Sequence, residues 1–570
     1  MMDANAMTGA ETFLRLLGSM GVERIFASSG SEWAPVWEYL AKPAAAAIPA
    51  YLSARHEETA IGAASGYAKS SGKLPAVMLH TTVGALHGAM ALRAALHESV
   101  PMVVFAGESV AFGEDEGPDP GWQWIRSLAD VGGPARLVAP CVKWSFGVNS
   151  KSVLPSTIQR ACQLALTPPF GPAFVSVPME YLFEPMPASA ASAAAIPRRA
   201  VADPAGIAQL ADMLAAAKNP MILTERSGRS RAAVDCLVEL AQALAAPVVQ
   251  TRNPDYFNFP HDHPLHAGFD PAPVLKGADM IFMPATVAPW HPASAVPFRH
   301  AKVALLDENP LCSELPVWGY QADLCLVGEV EASLQALLEQ VRKRVGDGDP
   351  ARRQRAAAWA EKNAARRKAW TEKTLALKDA KPMETRWIAH ELNAVLPANA
   401  VVVDETITHR PEILNELDRL APGGFFCGCI GGLGTGLATA LGVKAAQPEK
   451  TVIATIGDGS FNYNPVLAAL GFAQEHGMPI MIVVFDNQGY LSQQSGVPKY
   501  FPRGFAMKVQ KFAGTSIRPA PEYAGLAPLF GGYGERVDEP GELRAALQRG
   551  LKAVNEGALA LLDVRLAPVP

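Results

Sequence analysis

Residues 451–490, TVIATIGDGSFNYNPVLAALGFAQEHGMPIMIVVFDNQGY, constrain the fold more than any other stretch of the chain. Val452 to Ile456 is a short, mostly β-branched run. Asn464 to His476 carries apolar residues at helical spacing, and Ile480 to Phe485 is a second apolar run behind Gly477 and Pro479. This order predicts a strand, a helix and a strand. Such a crossover makes the two strands parallel, so Asp458 and Asn487, each just past its strand, meet at one edge of a sheet. Open α/β sheets bind ligands at that edge.

The residue types there predict the ligand. Gly457 and Gly459 flank Asp458 and let backbone approach closely, and Ser460 is expected to open the next helix with its phosphate-favouring amide end. A carboxylate oxygen, an amide oxygen and the backbone carbonyl at Gly489, with Tyr490 beside it, form a hard-oxygen set. Together with phosphate oxygens and water, such a set suits octahedral Mg²⁺ better than Zn²⁺. The expected occupant is a diphosphate held through a metal. A second GDG, Gly346 to Gly348, follows the basic run Arg342 to Arg344 without a flanking strand and reads as a turn.

GDG, twenty-six residues and then Asp486-Asn487 resembles the signature of thiamine diphosphate-dependent enzymes. The resemblance implies thiamine diphosphate and Mg²⁺ as cofactors, with Asp458, Asn487 and the carbonyl of Gly489 as metal ligands. Asp486 departs from the commoner Asn at that place. The resemblance also implies a Glu that activates the cofactor's aminopyrimidine, nine residues before a Gly-Tyr-Ala. In RHEETAIGAASGYA that residue is Glu57, nine before Gly66. In the family this Glu and the metal half-site meet across a dimer interface, so a homodimer or homotetramer is implied.

The chain's size and composition agree with a large enzyme. At 570 residues it is long enough for three or four domains. It is 49% hydrophobic and 18% charged, which excludes a disordered chain, and its net charge of -5 gives no reason to expect nucleic acid or an anionic membrane. Seven cysteines without metal-type spacing argue for a reducing compartment. Cys427-Gly-Cys429 reads as packing in a Gly-rich turn, with a redox pair as the alternative. The N-terminus lacks a basic start followed by a long apolar core, and no apolar stretch is long enough to span a bilayer. The expected location is the cytoplasm.

Taken in order, the chain divides into three doubly wound parallel α/β domains. Residues 1–190 open with Thr8-Gly-Ala-Glu11 as a capping box for a helix ending near Gly21. A strand at Val22 to Phe26, a turn at Ala27 to Ser31 and further strands at Ala76 to His80 and Met102 to Ala106 follow. A Pro- and Ala-rich linker leads to a middle domain, 200–345. The basic run RRQRAAAWAEKNAARRKAWTEK lies in a helical linker, 346–382, read as a solvated helix rather than a nucleic-acid contact. The last domain, 383–570, is expected to hold the diphosphate and the metal.

Other positions acquire roles from the resemblance. Leu433 in the Gly-rich segment 425–442 falls where the family places a wedge between the cofactor rings, and Thr406 and Thr408 where hydroxyls contact the diphosphate. Within the family the pattern is nearest to benzoylformate decarboxylases. His80 in LHTTVGALHGAM, His291 in APWHPA and Ser31 in SSGSEW fall at that enzyme's polar positions. They imply two proton carriers and a contact to the substrate carboxylate, hence decarboxylation of a 2-oxo acid to an aldehyde, with carboligation possible. Acetohydroxyacid synthase and 2-hydroxyacyl-CoA lyase are the alternatives, and a non-catalytic cofactor-binding assembly partner is a second. Glu225-Arg226, where relatives have a Gly-rich nucleotide turn, argues against FAD or ADP in the middle domain.

Overall fold

Runs of β-branched and apolar residues form strands buried on both faces, as parallel sheets covered by helices require. The computed structural model describes residues 7–42, 48–108, 118, 131–251, 253–290, 297, 300–346, 348–428 and 432–569. The N-terminal sheet contains β1 (Arg24–Ser28), β2 (Ala50–Ser53), β3 (Ala76–Leu79), β4 (Met102–Glu108), β5 (Trp144–Gly147) and β6 (Pro172–Pro178) in the order β2-β1-β3-β4-β6-β5. The middle sheet contains β7 (Pro220–Thr224), β8 (Val248–Gln250), β9 (Met280–Pro284), β10 (Lys302–Asp307) and β11 (Leu324–Val327) in the order β8-β7-β9-β10-β11.

The C-terminal sheet repeats the N-terminal strand order. Its strands are β12 (Ala400–Glu405), β13 (Phe425–Cys427), β14 (Thr451–Gly457), β15 (Met481–Asp486), β16 (Tyr533–Val537) and β17 (Ala560–Arg565), ordered β13-β12-β14-β15-β17-β16. Every pair in the three sheets is parallel. In each outer sheet the strand order reverses beside the first strand, and a crevice opens there at the carboxyl edge.

The N- and C-terminal sheets share one core between their facing sides, while each keeps a cluster of its own on its other face. Helices α2 (Glu57–Ser71) and α5 (Gly436–Ala446) are buried on nearly all sides. One apolar cluster runs from Val77 and Val104 through Ala63, Ala64 and Leu441 to Val452 and Val484. Small residues bring the two helices to backbone contact. A Cβ at Gly66 would stand 2.0 Å from the Thr439 carbonyl oxygen, and one at Gly442 1.9 Å from that of Ala63.

Local structure departs from the sequence reading in three places. Half of the expected capping box is present: Thr8 accepts the Glu11 amide at the head of α1 (Gly9–Ser19), while the Glu11 carboxylate meets Tyr39 and Arg15. The strand expected at Val22 to Phe26 begins at Arg24 instead, because Gly21 turns to φ +84° and the Val22 amide bonds back to Leu17 O to close the helix. The helix expected at Asn464 to His476 is present as α7 (Val466–Glu475), and a further short helix, α6 (Asp458–Tyr463), precedes it. Pro465 has no amide with which to continue α6, so it ends one helix and starts the other. The basic run forms α4 (Pro350–Leu375), and Arg355 and Arg366 donate to middle-domain carbonyls at Leu244 and His266.

Gly442→Val drives a side chain into the backbone of α2, and the expected loss of stability is at least about 1–3 kcal/mol. Thermal unfolding checks this, and an unchanged midpoint contradicts the contact.

Candidate functional site

The carboxyl edge of the C-terminal sheet gathers the loops after β12, β14 and β15. Asp458 is the first residue of α6, and the helix opens on it rather than on Ser460. Asp458 Oδ2 and Asn487 Oδ1 each accept the Gly489 amide at 3.1 Å, so oxygens from two strand ends converge on one point. A Cβ at Gly489 would stand 2.5 Å from the Thr515 carbonyl oxygen, so only glycine fits there. Tyr490 lies over Gly459, its ring 2.8 Å from where a Cβ would stand. Gln488 and Ile407, flanking the same crevice, take φ of +58° and +56°. A β-branched residue in that region is strained, a feature of backbone held for function.

The charge at this edge is unbalanced. Asp458, Asp486 and Asp563 are all fully buried, and the one close ion pair among them is Arg565 to Asp486 at 2.6 Å. Both carboxylate oxygens of Asp563 lack hydrogen-bond partners. Burial, reinforced by Asp486, pushes Asp458 up to about 8. Carboxylates taken out of water need a counter-charge, and a divalent cation with oxygen preference fits this donor set.

The neighbouring residues fall into two groups. Gly457 ends β14 facing the Thr406 carbonyl, and Ser460 is buried in α6. The Thr406 hydroxyl donates to buried Asp404 at 2.8 Å, whereas Thr408 lies exposed on the turn after β12. Leu433 sits half-buried beside Gly434, whose amide is held by the fully buried Glu405. Cys427 is buried and its thiol is pushed up by burial, as packing rather than redox chemistry requires; Cys429 lies outside the described residues. His409, which sequence reasoning missed, lies between Thr385 Oγ1 at 2.7 Å and Asn487 Nδ2 at 3.3 Å.

The N-terminal sheet's crevice holds the second group. His80 follows β3 and faces the Gly30–Glu32 turn after β1, which also carries the exposed Ser31. His80 Nδ1 lies 2.8 Å from Glu32 Oε2, and this bond to a buried carboxylate raises the imidazole above its ordinary value. Gly30 and Gly107 make room, since a Cβ at either would stand about 2 Å from His80 or Glu32. Glu32 was missed because an acidic residue at a helix start looks solvated. Glu57 is buried at the head of α2 beside His87. Among the described residues no hydrogen bond or ion pair joins Glu57 to Asp458 or Asn487. His291 lies outside the described residues.

In the middle domain, Glu225 Oε2 accepts the amides of Val287 and Ala288, and Arg226 pairs with Asp255 at 2.6 Å.

Residues 7–118 match the thiamine pyrophosphate enzyme N-terminal TPP binding domain, residues 207–337 the central domain, and residues 414–564 the C-terminal TPP binding domain. The chain is 28% identical to benzoylformate decarboxylase of Pseudomonas aeruginosa over 519 residues, covering 88% of this chain and 90% of that protein. It is 25% identical over 562 residues to the acetolactate synthase isozyme 2 large subunit of Escherichia coli, covering 96% and 94%. The thiamine diphosphate-dependent 4-hydroxybenzoylformate decarboxylase of Rhodococcus jostii RHA1 shares the fold, with a TM-score of 0.79 at 24% identity over 99% of each chain.

The Glu32–His80 pair makes stability depend on pH. Because His80 is raised, the pair's contribution is full below the ordinary value of 6.5 and is lost as pH rises through the raised one. In Glu32→Gln the His80 midpoint, followed by NMR, is expected to fall, and the stability gap to wild type to narrow at high pH. An unmoved midpoint contradicts the pairing.

Proposed function

Because the chain belongs to the thiamine pyrophosphate-dependent enzymes, we propose that it decarboxylates a 2-oxo acid to an aldehyde, in the manner of a benzoylformate decarboxylase, with thiamine diphosphate and Mg²⁺. The observation that carries this reading is the convergence of Asp458 Oδ2 and Asn487 Oδ1 on the Gly489 amide, beside buried carboxylates that need a cation. When bound, thiamine diphosphate supplies a carbon nucleophile and an electron sink that lets a 2-oxo acid lose CO₂.

The chain's own residues bind, orient and move protons. Asp458, Asn487 and the Gly489 carbonyl would hold Mg²⁺. The backbone at Gly457 and Gly459, with Ser460, Thr408 and Tyr490, would line the diphosphate. Thr406 supports that edge through Asp404, its hydroxyl proton being spent there. Leu433 would brace the two rings, and Glu57 would hold a proton at the pyrimidine nitrogen. Ser31 would receive the substrate carboxylate. His80 keeps its Nδ1 proton on Glu32, so Nε2 is the atom free to exchange, and its raised value suits a donor near neutral pH. His291 completes the proton carriers in this reading. A second copy of the chain brings Glu57 to the metal half-site, as a homodimer or homotetramer in the cytoplasm.

A synthase that condenses two carbonyl compounds is the second reading, favoured by the likeness to acetolactate synthases. Glu225 on the Val287 and Ala288 amides speaks against the flavin such an enzyme carries.

Three measurements test the proposal. Glu57→Gln is expected to keep the cofactor while slowing exchange of its C2 proton by orders of magnitude, and unchanged exchange contradicts the assignment. Asp458→Ala is expected to abolish Mg²⁺-dependent cofactor retention. A panel of 2-oxo acids is expected to yield CO₂ and one identified aldehyde from at least one member; none would favour a protein without catalysis.

A further inference from the structure

Two histidines beside Glu57, His56 at the head of α2 and His87 in α3 (Thr82–His97), have no part in the scheme above. His56, Glu57 and His87 each bring a ligand-type atom within 4.8 Å of the others. His87 Nδ1 lies 3.4 Å from Glu57 Oε2, and the His56 and His87 rings lie parallel within 3°, their centroids 5.5 Å apart. The approach is built into α3. A Cβ at Gly84 would stand 3.4 Å from Glu57 Oε1, and one at Gly88 would stand 2.5 Å from Ile61 Cδ1, so these two glycines let the helices close around His87.

Two imidazoles and a carboxylate are also zinc chemistry, but the tautomers argue for a proton. His56 Nδ1 accepts the Glu58 amide at 3.1 Å and caps α2. Its lone pair is spent there, so the neutral ring carries its proton on Nε2 and offers a metal nothing without undoing the cap. His87 has no such tie. It faces Glu57 with Nδ1 and leaves 64% of its side chain exposed.

We infer that His87 is a positioning residue that relays protons between solution and Glu57, an inference that rests on the cofactor-activating role proposed for Glu57. A hydronium ion gives a proton to His87 Nε2 and leaves as water while the Nδ1–H bond breaks and an O–H bond forms at Glu57 Oε2; the reverse transfer returns the proton to water, clears the carboxyl and restores the tautomer. Protons balance and no other reactant is needed. The other titratable groups around the pair are His56 and Glu58 from the head of α2, and His80 with Glu32 beyond Glu57. Burial depresses His56 and pushes Glu58 up to about 7, with the His87 charge pulling Glu58 back down.

The test compares wild type, His87→Ala, His87→Asn and Glu57→Gln. In His87→Ala, C2 proton exchange of bound thiamine diphosphate is expected to slow tenfold or more and to recover with added imidazole, while cofactor affinity stays within threefold. His87→Asn, which keeps a donor but cannot titrate, is expected to stay slow. In the cofactor-free protein, ¹⁵N NMR is expected to find the His87 proton on Nδ1, facing Glu57, and to find that preference weakened in Glu57→Gln. Wild-type exchange in His87→Ala, full exchange in His87→Asn or an unchanged His87 tautomer balance overturns the relay. If Glu57→Gln exchanges slowly while His87→Ala does not, only the relay fails; if Glu57→Gln exchanges normally, the proposed role of Glu57 and the relay fall together.

Discussion

Backbone contact between α2 and α5 is the constraint on which the arrangement depends. Gly66 and Gly442 leave no gap between the helices, and the residues around them belong to one apolar cluster shared by two sheets. Helices buried on nearly all sides cannot face water, so the facing sides of the two outer sheets form one core that neither completes alone. The same contact fixes both carboxyl edges. Glu57 opens α2, and the Gly-rich approach to α5 carries Leu433 and Gly434, so the packing that closes the core also sets the walls of both crevices.

Charge then marks which edge suits a metal. Three buried carboxylates with one close guanidinium are costly in a low dielectric, and no apolar substitution is visible to relieve them. Strained Ile407 and Gln488 border the same crevice. Cost and strain concentrate where ligand binding can repay them. The opposite crevice is arranged differently, with Glu32 and His80 satisfying each other beneath Ser31. One edge suits anchoring a charged tail and the other suits handling a proton near a substrate.

Much of this was legible in the chain because parallel strands buried on both faces read as uninterrupted apolar runs. Val452 to Ile456 and Ile480 to Phe485 therefore placed Asp458 and Asn487 at neighbouring strand ends. Partnerships across long separations were not legible. Glu32 meets His80 48 residues on, and His409 meets Asn487 78 residues on, with no local pattern to announce either. The resemblance gives Thr406 a diphosphate contact, yet its hydroxyl donates to Asp404, a buried carboxylate that also accepts from Thr455 and Arg410. The helix opening at Asp458 was hidden by the glycines of GDG, which look like loop until Pro465 is seen to end a short helix there.

A crystal structure of the protein grown with Mg²⁺ and thiamine diphosphate addresses the central claim most directly. The expected result is a metal about 2.1 Å from oxygens of Asp458 and Asn487, with Glu57 from a second copy hydrogen-bonded to the pyrimidine ring of the same cofactor. A cofactor bound elsewhere, or one whose pyrimidine has no Glu57 from any copy beside it, would contradict it.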